Sequence, residues 1–138
     1  MSLTIMFAGL AGAVAPHSIS MEYHGRQIGV TYVARAEIVS RTVGARTPNR
    51  ADRQRCQWTA TILVDRKLDH GPALARSIAT GRQFSGSEAG ACVPGNDPAA
   101  RGLAPQRDEI EAHLRAVAQA DRAPLLAELD AVRHLASG

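Results

Sequence analysis

The sequence predicts an α+β fold: an antiparallel meander of three or four strands, two C-terminal helices packed on one face, and one disulfide. Three observations predict it. Apolar and polar residues alternate in the first half of the chain, apolar residues recur at helical spacing after Pro105, and only two cysteines occur, Cys56 and Cys92. A chain of 138 residues, 45 % hydrophobic and 21 % charged, is typical of one globular domain.

Two long strands form the centre of the predicted sheet. Residues 27–43 and 56–64 are rich in β-branched and aromatic side chains, and both runs place apolar residues at even positions. Antiparallel pairing around a loop near residues 44–53 brings the two apolar rows to one face. In the register that we expect, Trp58 lies opposite Ile38.

A shorter strand precedes these two. His24 and Gly25 can form a two-residue hairpin turn after residues 18–23. That turn places Met21 opposite Ile28, so the apolar parity is kept across the hairpin.

The middle of the chain leaves two alternatives open. Gly71-Pro72 can begin a short helix, because proline is favoured at the first helical position, or an edge strand can run through residues 76–84. Residues 85–105 are rich in glycine and proline, and this predicts an irregular loop held by Cys92.

Helical spacing begins after Pro105. Ile110, Leu114 and Val117 recur on one face of the first helix, and we expect Asp121 to cap a second helix that continues to about Leu135. The simplest role for both helices is to cover the apolar face of the sheet.

The N-terminus predicts the compartment. Residues 3–15 form an uncharged apolar run that is too short to span a bilayer, which takes about 20 residues. Ala11 and Ala13 supply a small-x-small cleavage pattern. We therefore interpret residues 1–15 as a candidate signal peptide and residues 16–138 as a single domain, periplasmic or secreted, without a transmembrane segment in the mature chain.

Two alternatives to export stay open. No basic residue precedes the apolar run, so it can instead be a buried first strand or helix of a cytoplasmic protein. Translation can also begin at Met21, in which case the run is no part of the protein.

Cys56 and Cys92 are interpreted as one structural disulfide. An even, widely spaced pair without a C-x-x-C motif indicates a staple rather than a zinc site or a redox pair. The alternative is two separate buried thiols.

Arginines are concentrated around the predicted β-hairpin loop. Between residues 41 and 55 five arginines stand against one acid, Asp52. Strand parity directs several arginines outward, which suggests a basic ridge for an anionic or protein partner. The candidate residues are Arg35, Arg41, Arg46, Arg50, Arg53 and Arg55. The loop lacks aromatic residues, no nucleic-acid motif is present, and a solvated charge cluster is the alternative explanation.

Other signs of chemistry are weak. Two helical pairs, Glu109 with His113 and Asp130 with His134, have a spacing that can present metal ligands, but ion pairing explains them more simply. Neither a nucleophile motif nor a phosphate loop occurs, so we expect no catalytic residue, cofactor or metal.

Three functional hypotheses follow. The first is an exported, non-enzymatic interaction module that uses the basic hairpin. The second is a small-molecule binder or hydrolytic enzyme with a site near residues 81–95, using Ser85, Ser87 or Glu88. The third is a cytoplasmic regulatory protein with free thiols.

Overall fold

The computed structural model describes residues 4–8, 14–44, 53–69 and 76–137, and it confirms the predicted α+β class. Within these residues the sheet has five strands, all paired antiparallel. A short helix and a single 3₁₀ turn, Ala104–Gln106, precede the two C-terminal helices. The elements in chain order are β1 Thr4–Ala8, β2 His17–Tyr23, β3 Arg26–Val43, β4 Arg55–Leu68, β5 Arg76–Ala89, α1 Pro98–Leu103, α2 Arg107–Ala120 and α3 Arg122–Ser137.

Strand β3 is the axis of the sheet because it pairs along its whole length. One edge of β3 pairs with β4. Along the other edge β2 pairs with residues 26–32 and β1 pairs with residues 36–40. The predicted hairpin register is confirmed, with Met21 opposite Ile28. Strand β1 lies inside the segment interpreted as a signal peptide and pairs with residues 36–40.

The predicted register between the two long strands is wrong by two residues. Trp58 lies opposite Ser40, and Ala60 takes the place opposite Ile38. A shift of two keeps every side chain on its predicted face, since the side-chain period of a strand is two. The predicted apolar face is therefore correct although the pairing is not.

The predicted loop over residues 85–105 is only partly correct. The edge-strand alternative is the one observed, and β5 continues to Ala89, beyond the expected end at Phe84. Helix α1 occupies residues 98–103, where Asp97 caps its N-terminus by accepting a hydrogen bond from the amide of Ala100 at 3.0 Å. An aspartate followed by proline is a helix-start signal, but the glycines around it led to the prediction of a loop.

The hydrophobic core lies between the even-numbered face of the sheet and the helices. Helix α2 contributes Ile110 and Leu114, and helix α3 contributes Leu125 and Leu129, all buried. The opposite face of the sheet is not covered by any helix among the described residues. The helices thus pack on one face, as the sequence predicts.

The predicted disulfide is present. Cys56 and Cys92 are bonded across a separation of 36 residues, with their Cα atoms 4.8 Å apart. The Cys92 amide also donates a hydrogen bond of 2.9 Å to the Thr42 hydroxyl. The segment after β5 is therefore attached to the sheet where β3 ends and β4 begins.

Candidate functional site

The predicted basic ridge lies on the uncovered face of the sheet. Arg35, Arg41 and Arg55 share the outward parity of β3 and β4, and Arg53 is exposed just before β4 begins. Arg46 and Arg50 fall in residues 45–52, outside the described part of the chain.

Arg35 does not contribute free charge to this ridge. Its Nε donates to Asp65 at 2.9 Å, and its Nη2 donates to the Ser77 hydroxyl at 3.0 Å. This half-buried ion pair neutralises the guanidinium in the middle of the sheet.

The arginines at the hairpin end have neutral neighbours instead. Arg41 donates to the Gln57 amide oxygen at 3.4 Å, and Arg55 donates to the Ser87 hydroxyl at 3.1 Å. Among the described residues no carboxylate lies at ion-pair distance from either guanidinium. We call Arg41, Arg53 and Arg55 the basic end of the sheet. Guanidinium groups that are not ion-paired can bind phosphate, sulfate or carboxylate groups bidentately.

A groove of about 380 Å³ lies between strand β5 and helix α1. Its floor includes Trp58, which is only 5 % exposed, and two glycines pack against its ring. A Cβ at Gly86 would lie 2.7 Å from the ring, and one at Gly102 would overlap it. The groove is lined by Trp58, Phe84, Ser85, Gly86, Ser87, Glu88, Pro98, Arg101, Gly102 and Gln106.

Residues 84–88 of the groove fall within the segment 81–95, for which the sequence suggested a site. At the rim of the groove Arg101 donates two hydrogen bonds to Glu88, one of them 2.8 Å long, and this contact lowers the pKa of the Glu88 carboxyl. The Ser87 hydroxyl accepts its hydrogen bond from Arg55, an outward-facing residue of β4. The groove therefore places the ion pair of Arg101 and Glu88 beside the indole ring of Trp58.

A buried polar cluster was missed by the sequence analysis. Arg66 continues the inward parity of β4 and is only 1 % exposed. Its Nη1 donates to both carboxylate oxygens of Asp121, at 2.8 and 2.7 Å, and its Nη2 pairs with Glu128, which also pairs with Arg76. Tyr32 donates a further hydrogen bond of 2.7 Å to Asp121.

The expected cap at Asp121 is thereby corrected. Its carboxylate lies in the core, bound to Arg66 and Tyr32, while its backbone oxygen accepts from the Leu125 amide. The sequence did contain a signal for this cluster, because Arg66 falls at an even position of β4, in line with the buried apolar residues. A charged residue at such a position needs a partner.

The histidine pairs adopt other contacts. Glu109 binds Arg82 at 2.9 Å, and Asp130 accepts from the Tyr23 hydroxyl at 2.7 Å. Burial, with Arg82 nearby, lowers the pKa of His113. No group of three or more metal-ligating side chains occurs among the described residues.

No helix within the described ranges is long and apolar enough to cross a membrane. Comparison with protein-family models, curated proteins and solved structures finds no match to this chain.

Proposed function

We propose that this protein is an exported, non-enzymatic binding module that holds an anionic partner at the basic end of its sheet. The observation that carries the proposal is the contrast between Arg35, which is paired with Asp65, and Arg41 and Arg55, whose hydrogen-bond partners among the described residues are neutral. Unpaired guanidinium groups on a face without a covering layer are free to bind anions.

The sequence between β3 and β4 adds further positive charge. It contains Arg46 and Arg50 against a single acid, Asp52. A cluster of this kind attracts sulfated or phosphorylated polymers at long range, with a strength that falls as salt screens the charges.

Two features of the chain, which support each other, favour export. The uncharged run over residues 3–15 has the length and small residues of a signal sequence, and Cys56 and Cys92 form a disulfide. Structural disulfides persist in the periplasm and outside the cell, where the thiol-reducing systems of the cytosol are absent.

Binding to immobilised heparin, as a sulfated probe, tests the proposal. We expect retention at low salt that weakens steeply as salt rises, and a lower elution salt for Arg53→Gln combined with Arg55→Gln. Both residues are exposed, so the fold should tolerate the changes.

The matched control is Arg107→Gln combined with Arg115→Gln, which removes the same charge from exposed positions of α2. This control should elute close to the unmodified chain. Equal losses in the two double variants would mean that heparin reports only overall charge, and absence of retention at low salt would refute the proposal.

A second candidate function is binding of a small zwitterion, such as a free amino acid or dipeptide, in the groove beside α1. The ion pair of Glu88 and Arg101 supports it. The Arg101 guanidinium can bind the carboxylate of a ligand, and the Glu88 carboxylate can bind its ammonium group, in place of each other. Trp58 is the only tryptophan, so its fluorescence reports directly on the groove. A panel of amino acids that leaves the emission unchanged, or that acts equally on Arg101→Gln, would reject this candidate.

A further inference from the structure

The edge of β3 over residues 36–40 is filled by β1, a strand from within the predicted signal peptide. Cleavage of that peptide would remove the strand and leave the backbone groups of this edge without partners. Ala36 and Ile38, whose backbones pair with β1, belong to the hydrophobic core, so the freed edge would lie directly beside the core. Native proteins rarely leave such an edge open.

We infer that the edge of β3 is a homodimerisation site in the mature protein, where β3 of a second copy replaces β1. The inference rests on the cleavage that the proposed function assumes, but not on anion binding, and in the dimer Arg53 and Arg55 are left for the anionic partner. Pairing of the edge with β1 in the full chain demonstrates that its geometry accepts an antiparallel strand.

A two-fold axis beside Val39 gives a self-complementary register. Antiparallel pairing about this axis puts Glu37 opposite Arg41 of the partner subunit, twice by symmetry. It also puts Ile38 opposite Ser40 of the partner subunit, and inward residues meet inward residues. Opposite charges in directly opposed positions stabilise antiparallel pairs.

Neighbouring strands leave room for this arrangement. Strand β2 covers β3 only from Arg26 to Tyr32, well away from the freed stretch. In the register about Val39, β2 of the second copy lies beyond Val43, where the described part of β3 ends. The product is one continuous sheet with the helices of both copies on the same side.

Moving the axis by one residue, to Ile38, keeps the inward and outward faces but sets Arg35 opposite Arg41 of the partner subunit. That register opposes like charges in two symmetric pairs and is disfavoured. The charges along the edge thus select the register about Val39.

Sedimentation equilibrium on the full chain and on residues 16–138, without any polyanion, tests the inference. We expect a monomer for the full chain and a reversible dimer of twice the monomer mass for the shorter one. If the shorter chain does not fold, as judged by circular dichroism, Ile5→Pro combined with Phe7→Pro in the full chain releases β1 instead, because proline removes ladder hydrogen bonds.

Charge reversal then tests the register in whichever dimerising chain is used. Glu37→Arg and Arg41→Glu alone should each weaken dimerisation by roughly tenfold, and the two together should restore it. A monomer in both released chains, or a double variant no better than the single ones, would overturn the inference. Heparin binding is measured separately, so failure of the anionic-partner proposal would leave this result unchanged.

Discussion

Arg66 of β4 and Asp121, at the junction of α2 and α3, form an ion pair inside the core. The Arg66 Nη1 lies 2.8 and 2.7 Å from the two carboxylate oxygens, and the side chains are 1 % and 8 % exposed. The pair fastens the helix junction to the sheet, and the Tyr32 hydroxyl adds a third contact. Buried charges of this kind tolerate removal of one partner poorly, because the other is left uncompensated.

Asp121→Asn is therefore expected to lower the free energy of unfolding by about 3–5 kcal/mol, measured by urea denaturation. Asp108→Asn is the control, since that residue is exposed in the first turn of α2 and should cost at most about 1 kcal/mol. Equal effects of the two substitutions would contradict a structural role for the buried pair.

The ionisation of Tyr32 should be coupled to unfolding. Burial, and secondarily the hydrogen bond to Asp121, raises the pKa of Tyr32 far above its ordinary value of 10.0. Because the folded state holds this proton more tightly, its contribution to stability is complete below pH 10 and is lost as the pH rises above it. The free energy of unfolding should accordingly fall at alkaline pH.

The tyrosinate absorbance of the two tyrosines measures this directly. The pKa of the half-buried Tyr23 is raised mainly by its hydrogen bond to Asp130, but Tyr32 should ionise later, together with unfolding. Tyr32→Phe should remove the late phase and leave the early one. If both tyrosines ionised at the same pH while the protein was still folded, the coupling would be refuted.

The disulfide between Cys56 and Cys92 should stabilise the fold by about 3–4 kcal/mol, since it closes a separation of 36 residues in the unfolded chain. Unfolding in urea with and without reductant gives the difference. A variant with both cysteines replaced by alanine should match the reduced protein and show no response to reductant. Insensitivity of the unmodified chain to reductant would contradict the expected stabilisation.

Packing of Trp58 between two glycines predicts that Gly102→Ala destabilises the protein by roughly 1–3 kcal/mol, despite the better helix propensity of alanine. The added Cβ would overlap Cζ2 of the indole, an atom that phenylalanine lacks. In a Trp58→Phe background the cost should shrink, and a double-mutant cycle measures the change. An unchanged cost would show that the glycine serves another purpose.

The alternation of residues determined strands β2, β3 and β4, their faces and the parity of their pairing. Successive side chains on a strand point to opposite sides of the sheet. The alternating apolar residues in 27–43 therefore all lie on the same side. Alternation does not distinguish registers that differ by two, and the shift of Trp58 from Ile38 to Ser40 is of that kind. The sequence likewise placed Arg41 and Arg55 on the outward face, but not the pairing of Arg35 with Asp65.

The amino-acid sequence by itself thus determined the α+β class, the burial faces, the helical tail and the disulfide, because these follow from local periodicity and from a single possible cysteine pairing. Only the tertiary structure decided the register of β3 on β4, the groove beside Trp58 and the partners of Arg66. Each of these depends on groups far apart in the chain, 55 residues for Arg66 and Asp121, and their contact is set by how the helices settle on the sheet.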